Sequence, residues 1–143
     1  MNFEGQDINF EKGFEEYLEQ HGVTPKDKLF IQVPINFIRN NNYKVMDKML
    51  YMYLWTYSIK YKYAYPTQNT IAKDLKLTRK TVNMRLQELE KVGGIYIINR
   101  YKRNTKEKLP NLYHLADIDT KGNFDKDSLN ILYKVFPNKI YYV

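Results

Sequence analysis

Tyr65-Pro66-Thr67-Gln68-Asn69-Thr70-Ile71-Ala72-Lys73-Asp74-Leu75-Lys76-Leu77-Thr78-Arg79-Lys80-Thr81-Val82-Asn83-Met84-Arg85-Leu86-Gln87-Glu88-Leu89 reads as two short helices joined by a tight turn. Ile71, Ala72 and Leu75 form the apolar side of the first. Val82, Leu86 and Leu89, spaced i, i+4 and i+7, form that of the second. Leu77 lies in the turn, where it can fill the angle between them. Thr67 and Thr78 each precede a helix, where a hydroxyl caps free backbone N–H groups. The pattern is a helix-turn-helix, a unit that usually sets its second helix in the DNA major groove.

Downstream, Gly93-Gly94 stops the second helix. Ile95-Tyr96-Ile97-Ile98 reads as a strand, Asn99 to Pro110 as a polar, basic loop, and Asn111 to Leu115 as a return strand. Helix, helix, strand, basic loop, strand is the order of a winged helix. Upstream, Val45 to about Ile59 is the most apolar helix. Its two stripes are Val45, Met49, Met52 with Tyr53, and Leu50, Leu54, Tyr57, which puts it mid-domain. Lys60 to Tyr65 reads as a linker, Leu29 to Pro34 as a strand, Asn36 as the cap of one turn through Arg39, and Asn40 to Asn42 as a turn. Phe10, Phe14, Tyr17 and Leu18 mark an acidic helix near the amino terminus, and Thr24-Pro25-Lys26 a linker after it. Ser128 to Phe136 reads as a helix with Leu129, Leu132, Tyr133 and Phe136 on one side, and Ile140 to Val143 as a final strand. The expected class is α+β, mainly α: a winged helix-turn-helix with amino- and carboxy-terminal helical extensions. Its expected divisions are 1–28, an acidic helical extension, 29–116, the DNA-binding domain, and 117–143, a carboxy-terminal extension and possible dimerisation element.

From Phe30 to Leu115 the chain resembles the winged-helix domains of plasmid and phage replication proteins and related phage regulators. The carriers are Phe30 to Pro34, Lys48 to Leu54, Tyr65-Pro66-Thr67 with Thr70-Ile71-Ala72, Thr78 to Val82, Leu89-Glu90 with Gly93, and Asn111-Leu112-Tyr113. Two positions depart from the pattern. Lys76 stands where the turn often has glycine, and Gly93-Gly94 stands where a single glycine is usual. The resemblance implies DNA binding, in roles that range over replication initiation, helicase loading and repression.

Charge points the same way. The 143 residues carry a formal net charge of +7, unevenly placed. Residues 60–108 hold thirteen basic and four acidic groups, whereas residues 1–20 hold six acidic and one basic. A basic excess centred on a helix-turn-helix marks a polyanion-binding surface. With Val82, Leu86 and Leu89 inward, the opposite side of the second helix presents Lys80, Met84, Gln87 and Lys91, flanked by Thr81 and Asn83. Arg79 or Lys80 can donate to guanine, Asn83 or Gln87 can pair with adenine, and Met84 can touch a thymine methyl. The basic loop adds Arg100, Lys102, Arg103, Lys106 and Lys108 as a wing for phosphates or the minor groove. Thr67, Gln68 and Thr78, at the helix starts, join the DNA-binding set. Asn111 reads as a structural residue that pins the return strand, and Arg85, nearer the core edge, reads equally as a base contact or as a phosphate or structural residue. Lysines and tyrosines from Tyr57 to Tyr65 can stack single-stranded bases, but such tyrosines more often pack a domain edge.

Cysteine is absent, which excludes disulfides, zinc fingers and thiol chemistry. His21 and His114 are the two histidines. They stand in unrelated contexts and do not make the paired-histidine metal site of a rolling-circle initiator. No glycine-rich phosphate loop is present. Asp117, Asp119, Asp125 and Asp127 lack the spacing of a Ca²⁺ loop and read as a solvated acidic turn. The expectation is a non-enzyme without cofactor or metal. The polar, acidic start lacks a leader and no apolar run is bilayer-length, so a cytoplasmic protein off the membrane is expected. The expected partners are double-stranded DNA, a second copy in a homodimer, and a replication or transcription protein. The competing reading is a protein-interaction module that recruits such a factor.

Overall fold

The computed structural model describes residues 30–58 and 62–143. The acidic helix expected near the amino terminus, the linker at Thr24 to Lys26 and the boundary between the divisions 1–28 and 29–116 lie outside them. Helix α1 spans Ile35–Ile38 and α2 Val45–Thr56; strand β1 is Tyr63–Ala64. Helices α3, Gln68–Leu75, and α4, Arg79–Lys91, come next. Strands β2, Ile95–Tyr101, and β3, Lys108–Leu115, make a long hairpin. A short hairpin of β4, Asp117–Ile118, and β5, Phe124–Asp125, leads into a 3-10 turn, Lys126–Leu129. Helix α5, Asn130–Val135, and strand β6, Ile140–Tyr142, complete the chain. The main sheet has the order β1-β3-β2-β6, antiparallel except for the parallel pair β2–β6. The class is α+β.

The helix-turn-helix forms as its residues predict. Thr67 Oγ1 accepts from the Thr70 N–H at 3.0 Å, and Thr78 Oγ1 from the Thr81 N–H at 3.1 Å. Each hydroxyl satisfies one donor that the first helical turn leaves free. Ile71, Val82, Leu86 and Leu89 are buried, with Ala72, Leu75 and Leu77 packed against them. Lys76 closes α3 in the left-handed region, φ 54°, the conformation that explains glycine's frequency at this position. Gly93, φ 87°, ends α4 in the same way.

Several elements differ from expectation. Among the described residues, 30–34 pair with no strand, Phe30 is exposed, and β1 is the last strand on its side of the sheet. Asn36 is no cap: Pro34 holds that position, and Asn36 Nδ2 donates instead to the Thr120 carbonyl at 3.0 Å. In α2 the buried set is Asp47, Leu50, Tyr51, Tyr53 and Leu54, while Val45 is 79% exposed and Met49 and Tyr57 face solvent. Val45 and Met49, the start of the first stripe, therefore point outward while Tyr53 is buried and Met52 packs against the core, because the core lies on the side of the Phe37–Tyr43–Tyr51–Phe124 ring cluster. Its centroids stand 4.4 to 5.4 Å apart from Tyr43 through Phe124 to Tyr51 and Phe37. That cluster draws the carboxy-terminal segment into the core, together with buried Leu129 and Leu132. The expected helix from Ser128 divides into the 3-10 turn and α5, since the Asp125 side chain caps at Asp127 and opens the tighter turn first. The acidic stretch 117–127 holds a hairpin, with Asp119 Oδ1 accepting from the N–H groups of Lys121 and Asn123, both at 2.9 Å. Strand β1 lies where a linker was expected. It exists only through pairing with His114 and Tyr113.

Candidate nucleic-acid interface

The hairpin is longer than its sequence pattern suggested. Strand β2 runs through Tyr101 and β3 begins at Lys108, so the loop is residues 102–107 rather than 99–110. Arg100 and Lys108 consequently sit on strands, and both are engaged. Arg100 Nε donates to the Pro110 carbonyl at 2.8 Å, and its guanidinium lies 5.2 Å from the centre of the Tyr65 ring. Lys108 Nζ bonds the Leu109 carbonyl and the Asn111 side chain, and lies 5.3 Å from the Tyr101 ring centre. Burial, and then the neighbouring Arg100 charge, hold the Lys108 ammonium below its ordinary pKa.

Within the loop Lys102 pairs with Glu107 at 3.0 Å. Lys106 has a positive φ of 60°, and its ammonium stands 4.7 Å from the Tyr142 ring centre. The Arg103 side chain is exposed and makes no bond within the described residues. Among the described residues, Arg103 is the one of the five wing cations whose side chain has no bond or ring contact.

On α4, Arg79, Lys80, Asn83, Met84 and Gln87 are exposed, with Met84 at 49%. Thr81 is half-buried and receives the Thr78 hydroxyl at 2.9 Å. Thr78 and Thr67 are exposed caps. Arg85 is half-buried at the edge of the core. Gln68 Nε2 reaches Asn83 Oδ1 at 3.4 Å, which ties the start of α3 to the exposed side of α4. One cleft of about 360 Å³ is lined by Thr67, Gln68, Asn69, Arg79, Lys108, Asn111 and Tyr113, among others. It brings the starts of both helices against the hairpin. Asn69, Leu109, Pro110 and Tyr113 are its additions to the residues read from sequence. Tyr113 is fully buried, and its desolvated hydroxyl has a raised pKa, opposed by the Asn111 and Gln68 side chains. The sequence placed Tyr113 on the return strand without giving it a role at the site.

Helices packed about the left-handed turn at Lys76, an exposed polar side on the second and a basic hairpin beside it make a helix-turn-helix of the kind that DNA-binding domains use. Residues 44–95 match the family model of a helix-turn-helix domain. The match takes in α2, β1, α3 and α4 and stops at the first residue of the hairpin. No curated protein and no solved structure matches the chain. Among the described residues no helix is long and apolar enough to cross a membrane.

Proposed function

We infer that this chain is a sequence-specific double-stranded DNA-binding protein of the winged-helix kind, serving a plasmid or phage in replication initiation, plasmid maintenance or transcriptional regulation. The observation that carries the reading is the shared cleft: helix starts and basic hairpin line one concavity instead of lying on separate faces. Arg79, Lys80, Asn83, Met84 and Gln87 read base edges, while Thr67, Gln68, Thr78, Lys102, Arg103 and Lys106 take phosphates. The mobile-element role rests on the sequence resemblance. The protein works as a non-enzyme in the cytoplasm, and a homodimer reads paired half-sites, since one recognition helix spans few base pairs. Helix α5, with Ile131, Tyr133 and Val135 exposed, is the dimer contact.

The test is titration of the protein against its own flanking intergenic DNA, with Lys80, Asn83 and Arg103 changed together to alanine. Binding should be salt-dependent and lost in the variant. Salt-insensitive binding, or an unchanged variant, refutes the surface. The protein-docking alternative has one observation of its own, the exposed Ile35, Ile38, Val45 and Met49 around α1 and the start of α2. Absence of any DNA shift at low salt, with a co-purifying replication or transcription factor, favours it.

A further inference from the structure

The outer edge of β2 is satisfied by several kinds of partner in succession. The Ile97 N–H donates to Glu90 Oε2 at 2.7 Å, a side chain on the last turn of α4. The Asn99 N–H donates to the Lys139 carbonyl at 2.8 Å. The parallel ladder with β6 then covers Asn99 to Tyr101. Beyond it the Arg103 N–H, inside the loop, donates to the Val143 carbonyl at 3.1 Å, and the Val143 N–H to the Tyr101 carbonyl at 2.8 Å. Among the described residues the other side of the hairpin has no such support at this height, because β1 pairs with His114 and Tyr113 at its base.

Both ends of this segment are anchored. Lys139 Nζ pairs with Glu90 Oε1, so the carboxylate that holds Ile97 also holds the entry to β6. Lys139 adopts a positive φ of 58°, a conformation costly for a residue with a Cβ. It is held there by that pair and by the Asn99 backbone and side-chain bonds to its carbonyl. At the far end the Tyr142 ring lies against Tyr101, at 6.0 Å between centres, and under the Lys106 ammonium.

We propose that residues 139–143 are a strut that fixes the basic loop relative to the recognition helix, and that Lys139, Tyr142 and Val143 are positioning residues for the wing. The strut runs from Glu90 on α4 to Arg103 in the loop. A two-stranded hairpin alone is marginally stable in water. The third strand makes the distal half rigid enough for Arg103 and Lys106 to meet DNA without a large ordering cost. This last consequence rests on the DNA-binding reading above; the strut itself does not.

Two measurements test it on the full chain and on a variant that lacks residues 140–143. In DNA-free protein, amide exchange at Arg103 should quicken at least ~10-fold in the variant, while Leu86 in α4 changes less than about twofold. Tyr142→Ala should give the same selective pattern at smaller amplitude. On DNA, Arg103→Ala and Lys106→Ala should weaken binding of the full chain but become nearly silent without the strut, a non-additivity seen only when groups are coupled. Unchanged Arg103 exchange, equal loss of protection at Leu86, or additive effects of the loop substitutions would overturn the proposal. If no variant or wild-type protein binds DNA, the functional reading fails, and the exchange result still decides the strut.

Discussion

Arg100 and Arg103 lie three residues apart on one basic segment, yet the structure gives them different work. Arg103→Ala removes an exposed guanidinium with no bond among the described residues and leaves its backbone bond to Val143 untouched. Folding stability should therefore move by less than about 0.5 kcal/mol. If Arg103 neutralises one phosphate, the slope of log binding constant against log salt should shrink by about 0.9. Over a fourfold rise in salt, from about 50 to about 200 mM, the variant should then lose roughly 3.5-fold less affinity than the parent. Arg100→Ala breaks the bond to the Pro110 carbonyl and the contact with Tyr65. It should cost about 1–2 kcal/mol of stability and leave the salt slope nearly unchanged. Fluorescence-anisotropy titrations at several salt concentrations, beside thermal melts, read both effects. An Arg103→Ala slope equal to the parent's, or an Arg100→Ala slope reduced as much as the Arg103 one, would refute the division of labour.

Thr78→Ala should lower stability by about 1 kcal/mol in a thermal melt, because the Thr81 N–H loses its acceptor. Leu86→Ala empties a fully buried site between the helices and should cost about 2–5 kcal/mol in urea unfolding. Asn83→Ala should cost about 1–3 kcal/mol on the preferred DNA and relax discrimination at one base position, as read by competition with singly altered sites. Burial, and then the Lys62 charge, lower the His114 pKa from its ordinary 6.5. The unfolded chain therefore binds the proton more readily, so stability is complete above that value and declines as pH falls below it. His114→Gln should flatten this acid limb in melts taken across that range.

The recognition unit was legible because its signals are local. Thr67 and Thr78 sit at caps, and Ile71, Val82, Leu86 and Leu89 repeat at helical spacing, so each residue's role is set by neighbours within two turns. The exposed set on α4 comes from the same periodicity. The hairpin was legible in kind but not in extent. Asn99 to Tyr101 and Lys108 to Pro110 are polar enough to read as loop, and they are strand because β3 and β6 flank β2 there. Burial of α2 was legible for Leu50, Tyr53 and Leu54 but not for Val45, Met49 and Tyr57, which are exposed, for a related reason. Its apolar residues cover most of the circumference, and periodicity cannot choose the inward side when Val45 and Leu50 both qualify.

Sequence alone determined the two capped helices, the turn at Lys76, the stop at Gly93 and the basic character of the hairpin beyond that glycine. Backbone geometry and side-chain spacing specify these within a few residues. Tertiary structure alone decided which wing cation stays unengaged among the described residues, the two-residue strand β1, the return of Phe124 and Leu129 to the core, and the pairing of β6 along β2. These depend on partners ten or more residues away. Tyr113 and His114 create β1, Glu90 receives Lys139, and Pro110 captures Arg100. Closing such loops costs chain entropy that only the assembled sheet and ring cluster offset, so no local pattern announces them.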